Sequence, residues 1–151
     1  MRLEGLEITI INVYNPREDG PQIRTWPKVK MAIEEAKGEI ILLGNFNAHH
    51  PMWGGKHAAS EEQAERLLAE TDARGLILAT PRGEPTWKRG EQESVIDLTF
   101  ISPDLYGKVN FCGTVEEWAL IRDHIPIRIQ INNAGCPPAE RQRLALRKLN
   151  I

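Results

Sequence analysis

An aspartate and a histidine, each tied to an apolar strand, are the residues of this chain best placed to do chemistry. Asp97 lies in Ser94-Val95-Ile96-Asp97-Leu98-Thr99-Phe100-Ile101, a run with the alternation of a β-strand. Ile96, Leu98 and Phe100 fall on one face, and Asp97 falls on the other beside Val95, Thr99 and Ile101. A carboxylate on an apolar strand face needs a partner, because burying it unpaired is costly. Asp123-His124 opens a second alternating run, in which Ile125, Ile127, Ile129 and Ile131 are interleaved with Pro126, Arg128 and Gln130. Asp97 is therefore expected to meet His124. An aspartate in that position fixes the imidazole tautomer and its orientation.

The third segment is Ile40-Ile41-Leu42-Leu43-Gly44-Asn45-Phe46-Asn47. Its apolar run reads as a strand buried on both faces. The run ends in small polar side chains, and loops at strand ends hold reactive groups on a rigid support. The alternative for these residues is a plain Gly-Asn turn after a core strand.

The elements that must position these groups follow from local pattern. Leu3 to Tyr14 reads as one strand with Leu6, Ile8 and Ile10 on a shared face. Asn15 to Pro21 is a turn-rich loop. Thr25 suits an N-cap and Pro27 a first helical turn. Val29, Ala32, Ile33 and Ala36 continue a helical stripe, which Gly38 ends. Ser60-Glu61-Glu62-Gln63 has the form of a capping box, followed by Ala64, Leu67, Leu68 and Thr71 on one face and a stop at Gly75. Further strands are expected at 76–79, near Thr86-Trp87, and at 95–101, 108–115 and 125–131. Strands outnumber helices, which predicts an α/β layered sandwich with mixed or mainly antiparallel sheets.

Taken together these motifs resemble a known family. Gly44-Asn45-Phe46-Asn47 resembles the Gly-Asp-Phe-Asn motif of the endonuclease/exonuclease/phosphatase superfamily. Asp97 sits at its Ile-Asp strand motif, and Asp123-His124 matches its closing Ser-Asp-His. Ala48-His49-His50-Pro51-Met52-Trp53-Gly54-Gly55, with Asn12-Val13-Tyr14-Asn15-Pro16 and Pro85-Thr86-Trp87, is similar to the apurinic-type endonuclease domain of non-LTR retrotransposons. That domain nicks target DNA before reverse transcription. The resemblance runs from about Ile8 to Ile131.

It implies a deoxyribonuclease-like β-sandwich flanked by helices, with DNA as partner and Mg2+ or Mn2+ as cofactor. By the same resemblance Asp97 would orient His124, His124 would contact the phosphate, and Asp123 would lie near the metal. Asn47 would hydrogen-bond the phosphate or the nucleophile. Tyr14 would contact the phosphate through its hydroxyl, with Thr86 as a supporting wall of the substrate site. Arg122 stands where the family has Ser, and is either a phosphate contact or a plain exposed arginine. Asn45 stands where the family has Asp. An amide cannot take a proton from water at neutral pH, and loss of a general base costs about 10²–10⁴-fold in rate. The family's early metal-binding Glu has no counterpart, so the domain is expected to be truncated at its amino-terminal side, with metal binding weakened or lost and catalysis impaired. The alternative is a non-catalytic module that keeps the fold to bind nucleic acid or protein.

Composition bounds the rest. The 151 residues are 41% hydrophobic and 26% charged, which is globular, and the net charge of −2 gives no global basic footprint for nucleic acid. Residues 1–133 are expected to form the endonuclease-like part and 134–151 a basic tail or linker. Cys112 and Cys136 make neither a disulfide framework nor a zinc motif. His49, His50 and His57 match no common zinc spacing. Trp53 and Trp87 are candidates for stacking on bases or for packing, and packing is favoured, as it is for Trp26 and Trp118. No apolar run reaches the length of a membrane span. An intracellular protein is expected, nuclear if it belongs to a retrotransposon. A homodimer through the strand edge at Leu3 to Tyr14 is expected, because an open sandwich leaves a strand edge to cover.

Overall fold

The computed structural model describes residues 2–3, 5–17, 25–54, 58–119 and 123–132. Arg122, His57, Cys136 and the basic tail lie outside them. In chain order the elements are β1 (Arg2–Leu3), β2 (Leu6–Tyr14), α1 (Thr25–Glu35), β3 (Glu39–Asn45), α2 (Pro51–Gly54), α3 (Glu62–Ala73), β4 (Ile77–Leu78), β5 (Trp87–Arg89), β6 (Gln92–Ser94), β7 (Asp97–Ile101), α4 (Pro103–Tyr106), β8 (Val109–Thr114), a 3-10 turn (Glu116–Trp118) and β9 (Ile127–Ile131).

A five-stranded sheet of order β1-β2-β3-β7-β4 forms the centre. β2 and β3 run parallel, joined through α1, while β3 meets β7 antiparallel. The period-2 rule sorts their side chains onto two faces. Ile40 and Leu42 of β3, with Leu98 and Phe100 of β7, pack under Trp26, Val29 and Ile33 of α1 and Ala64, Leu67 and Leu68 of α3. Ile41 and Ile101 point the other way, where Val109, Ile129 and Ile131 of the β8–β9 hairpin close over them. The result is the expected mixed α/β layered sandwich flanked by helices.

Several elements depart from expectation. The first strand reverses at Gly5 (φ 83°), so that Arg2 and Leu3 pair back on Glu7 and Leu6. Val95 joins the helix-side core rather than the Asp97 face, because regular alternation begins only at Asp97. The local pattern near Thr86-Trp87 predicts one strand, and the structure has a hairpin of β5 and β6. Trp53 is fully buried with its indole N–H donated to the Ala48 carbonyl, and Trp26 stacks on Phe46. Trp118, expected to pack, is exposed. The capping box is not formed: Glu61 is the N-cap and makes no side-chain cap bond. Its carboxylate instead accepts the backbone N–H and the Nδ1 of His49, both at 3.0 Å. Ser60, the expected capping side chain, donates its hydroxyl to the Glu65 carboxylate on α3 instead.

Candidate active site

The chemistry-bearing residues form one row across one end of the sheet, where β2 and β3 finish and β7 begins. Tyr14 of β2 pairs in register with Asn45 of β3, and Asn45 pairs with Asp97 of β7. Adjacent strands stand about 4.8 Å apart, so three side chains from distant segments are brought abreast. Parity puts all three on the face that carries the β8–β9 hairpin. His124 completes the row, with Nδ1 2.8 Å from Asp97 Oδ2. The expected Asp97–His124 pair is thus present.

These residues rim an open cleft of about 460 Å³. Its floor is apolar, with Leu43, Ile125, Ile127 and Ile129 among the lining residues. Tyr14 is 71% exposed, free to present its hydroxyl to a ligand.

Gly44 lets the row form. Its φ is 136°, and a Cβ there would lie 2.0 Å from the Val13 carbonyl oxygen. Only glycine allows β2 and β3 to approach this closely at the level just before Asn45.

The turn after Asn45 is held from inside. Asn47 adopts φ 46°, a left-handed conformation that asparagine tolerates. Its backbone N–H donates to Asn45 Oδ1 at 3.0 Å. Its Nδ2 donates to the Asn15 carbonyl at 2.6 Å, so the side chain expected to reach a ligand already spends a donor on the protein. Asn15, fully buried, touches all three loop residues. Its backbone N–H donates to the Asn45 carbonyl, its Nδ2 donates to the Phe46 carbonyl, and its own carbonyl receives Asn47. The Asn15 Nδ2 also reaches Gln63 Oε1 on α3 at 3.0 Å. Sequence reasoning misses Asn15 as a site residue. The available signal is a polar residue directly after Tyr14 and before a proline.

Thr86 supports the row from inside the fold. Expected as a supporting wall of the substrate site, it is fully buried and acts on Asp97 from beneath. Its Oγ1 accepts the backbone N–H groups of Ile96 and Asp97, at 3.0 and 2.9 Å. Its carbonyl accepts the Ile125 N–H at 2.7 Å. One residue therefore ties the Asp97 strand to the His124 segment. Trp87 bridges to His124 alongside it, and Lys88 donates its backbone N–H to the Asp123 carbonyl. The exposed Lys88–Glu116 pair, 2.8 Å apart, raises the lysine pKa and lowers that of the glutamate through their mutual hydrogen bond.

The divalent ion that the resemblance implies needs several hard oxygen ligands. Among the described residues Asp97 is the one carboxylate lining the cleft, and its Oδ2 is engaged by His124. Asn45 Oδ1 is engaged by the Asn47 N–H. Asp123, the expected metal ligand, is exposed and is not among the cleft-lining residues. No group of three or more His, Cys, Asp or Glu among the described residues could hold an ion. The donor set of the described cleft does not fit a hard divalent cation. His49 and His50 are engaged elsewhere, with Glu61 and Glu65 respectively. Among the described residues no helix is long and apolar enough to cross a membrane.

A helix-flanked layered sandwich of this kind is the fold of solved endonuclease domains. Residues 8–128 match the family described as Endonuclease-reverse transcriptase, and the chain belongs to it. A Drosophila melanogaster protein, the probable RNA-directed DNA polymerase from transposon X-element, is 26% identical over 128 residues, covering 84% of this chain and 14% of that protein. The endonuclease domain of TRAS1, a telomere-specific non-LTR retrotransposon, superposes with a TM-score of 0.69 at 22% identity, covering 87% of this chain and 60% of that one. An AP endonuclease from Archaeoglobus fulgidus gives 0.64 at 15% identity, covering 85% and 62%. The Neisseria 3′ phosphatase NExo, solved with a product DNA hairpin, gives 0.64 at 20% identity, covering 82% and 60%. The chain thus spans 60 to 62% of these solved relatives and a small fraction of the transposon protein.

Proposed function

We propose that this chain is the phosphodiester-gripping part of a retrotransposon endonuclease domain, acting on DNA with cleavage weak or absent. The observation that carries the reading is the Asp97–His124 hydrogen bond of 2.8 Å, set in a row with Asn45 and Tyr14. In this reading Asp97 orients the imidazole and His124 contacts the phosphate. Tyr14 adds its hydroxyl, and Asn47 fixes the turn while offering its remaining amide hydrogen. Asp123, the residue the resemblance offers to a metal, stands exposed and outside the cleft lining. In-line hydrolysis also needs a group to orient or deprotonate water and charge to neutralise the phosphate. Asn45 supplies no base, and the cleft supplies few hard oxygens.

Supercoiled plasmid incubated with purified protein and Mg2+ or Mn2+ tests the catalytic half. No nicking above background is expected, and Asn45→Asp alone restores none. Metal-dependent nicking that follows the protein and vanishes in His124→Ala would overturn it. A gel shift at two salt concentrations tests the DNA half.

A second reading, a non-catalytic module that binds nucleic acid or protein, is favoured by the engagement of Asn45 Oδ1 within its own turn. A homodimer through the β2 edge and a nuclear location belong to the same proposal.

A further inference from the structure

The orientation of Asn45 changes what the cleft offers a ligand. Its Oδ1 accepts the Asn47 backbone N–H at 3.0 Å. A flipped amide would set donor against donor, so the NH2 group is the half that remains. Among the described residues Nδ2 has no hydrogen-bond partner, and it is not among their buried unsatisfied atoms. It therefore has access to the cleft that Asn45 lines. A carboxylate at this position would present a second acceptor and a negative charge. Asn45 presents a donor and no charge. Next to it in the row, the exposed Tyr14 brings a phenolic O–H.

Two neutral donors beside a cleft poor in hard oxygen ligands suit an anion held directly. We propose that this cleft binds a phosphate group of DNA through Asn45 Nδ2 and the Tyr14 hydroxyl without a divalent cation. The proposal rests on DNA being the ligand, as read above, and it reverses the usual dependence: the amide does for the phosphate what a metal would otherwise do. Hydrogen bonds to a charged acceptor are the strong class, and they strengthen over an apolar floor such as that of Leu43 and Ile127.

Fluorescence anisotropy of a short labelled duplex, measured in EDTA and again in Mg2+, tests this. Wild-type affinity is expected to be the same in both. Asn45→Asp keeps an acceptor for the Asn47 N–H, so the turn is preserved while the donor becomes a charge. It is expected to weaken binding in EDTA by about ten- to hundredfold and to recover partly in Mg2+. Tyr14→Phe removes only an exposed hydroxyl and is expected to cost roughly three- to tenfold. The side-chain amide signals of Asn45 in a nitrogen-15 NMR spectrum should move when a short oligonucleotide is added in EDTA. Wild-type binding that appears only with Mg2+ overturns the proposal and leaves DNA as the ligand. So does binding in EDTA that is unchanged in both variants with the Asn45 signals unmoved, since the contact then lies elsewhere on the chain. Absence of DNA binding in both buffers overturns this proposal and the DNA reading together.

Discussion

Thr86 lies beneath Asp97, fully buried, with its Oγ1 2.9 Å from the Asp97 backbone nitrogen and 3.0 Å from that of Ile96. The hydroxyl accepts both N–H groups where β7 begins. The position of the Asp97 carboxylate, and through it that of the His124 ring, depends on a side chain that a ligand never touches.

Thr86→Val keeps the shape and deletes the acceptor. Leaving these backbone donors unsatisfied is expected to cost about 2–4 kcal/mol, read as a shift in the urea midpoint. Thr86→Ser restores the hydroxyl and should recover most of the loss. A valine variant as stable as wild type would show that these two bonds do not hold the strand.

Gly44→Ala should be among the most damaging single-methyl changes in the chain. The added carbon would sit 2.0 Å from the Val13 carbonyl oxygen, and the neighbour is backbone, which has little room to yield. Separation of β2 from β3 is expected, with loss of the cooperative unfolding transition. A well-folded Gly44→Ala protein would disprove the close approach.

Cys112 on β8 is half-buried, and burial pushes its thiol up from 9.0 to about 11, despite an opposing hydrogen bond with Thr99. The folded state therefore keeps its proton after the unfolded chain has lost it. Stability from this group is full below the unfolded pKa and declines as pH rises from about 9 toward 11. In a Cys136→Ser background, iodoacetamide should label the native protein slowly at pH 9 and rapidly once urea is added. Fast labelling of the native state would contradict the burial.

The β2 edge predicts self-association. Its first residues are covered by β1, which limits the expected contact to the stretch toward Tyr14. Ile10 there is 51% exposed, on the same strand face as the cleft row. Light scattering should show a concentration-dependent dimer, weakened by Ile10→Lys. A monomer at all concentrations would remove the edge as an interface.

What is legible in the sequence, and what is hidden, divides along the reach of each interaction. The alternation around Asp97 and His124 is enough to pair them, because an acid on an apolar strand face has few alternatives. The stripes of α1 and α3 are equally plain: Val29, Ile33, Leu67 and Leu68 all face the core. The capping box at Ser60–Gln63 fails because its pattern is local while the needs of Glu61 and Gln63 are not. Those side chains hold His49 and Asn15 instead. Asn15 escapes notice for the same reason, since its partners 45 to 47 lie some thirty positions further along the chain. Gly5 reads as part of a strand because a single glycine gives no hint that the chain will double back.

The row of Tyr14, Asn45, Asp97 and His124 also carries a consequence for how the protein matures. Its members come from four stretches of chain, and the β2–β3 pairing is parallel, a slow class of contact to close. The cleft cannot exist in part. Until the segment bearing His124 has left the ribosome and docked beside β5, the earlier strands present Asp97 without its partner. The row is therefore complete only once the last of these four stretches has been made and has docked.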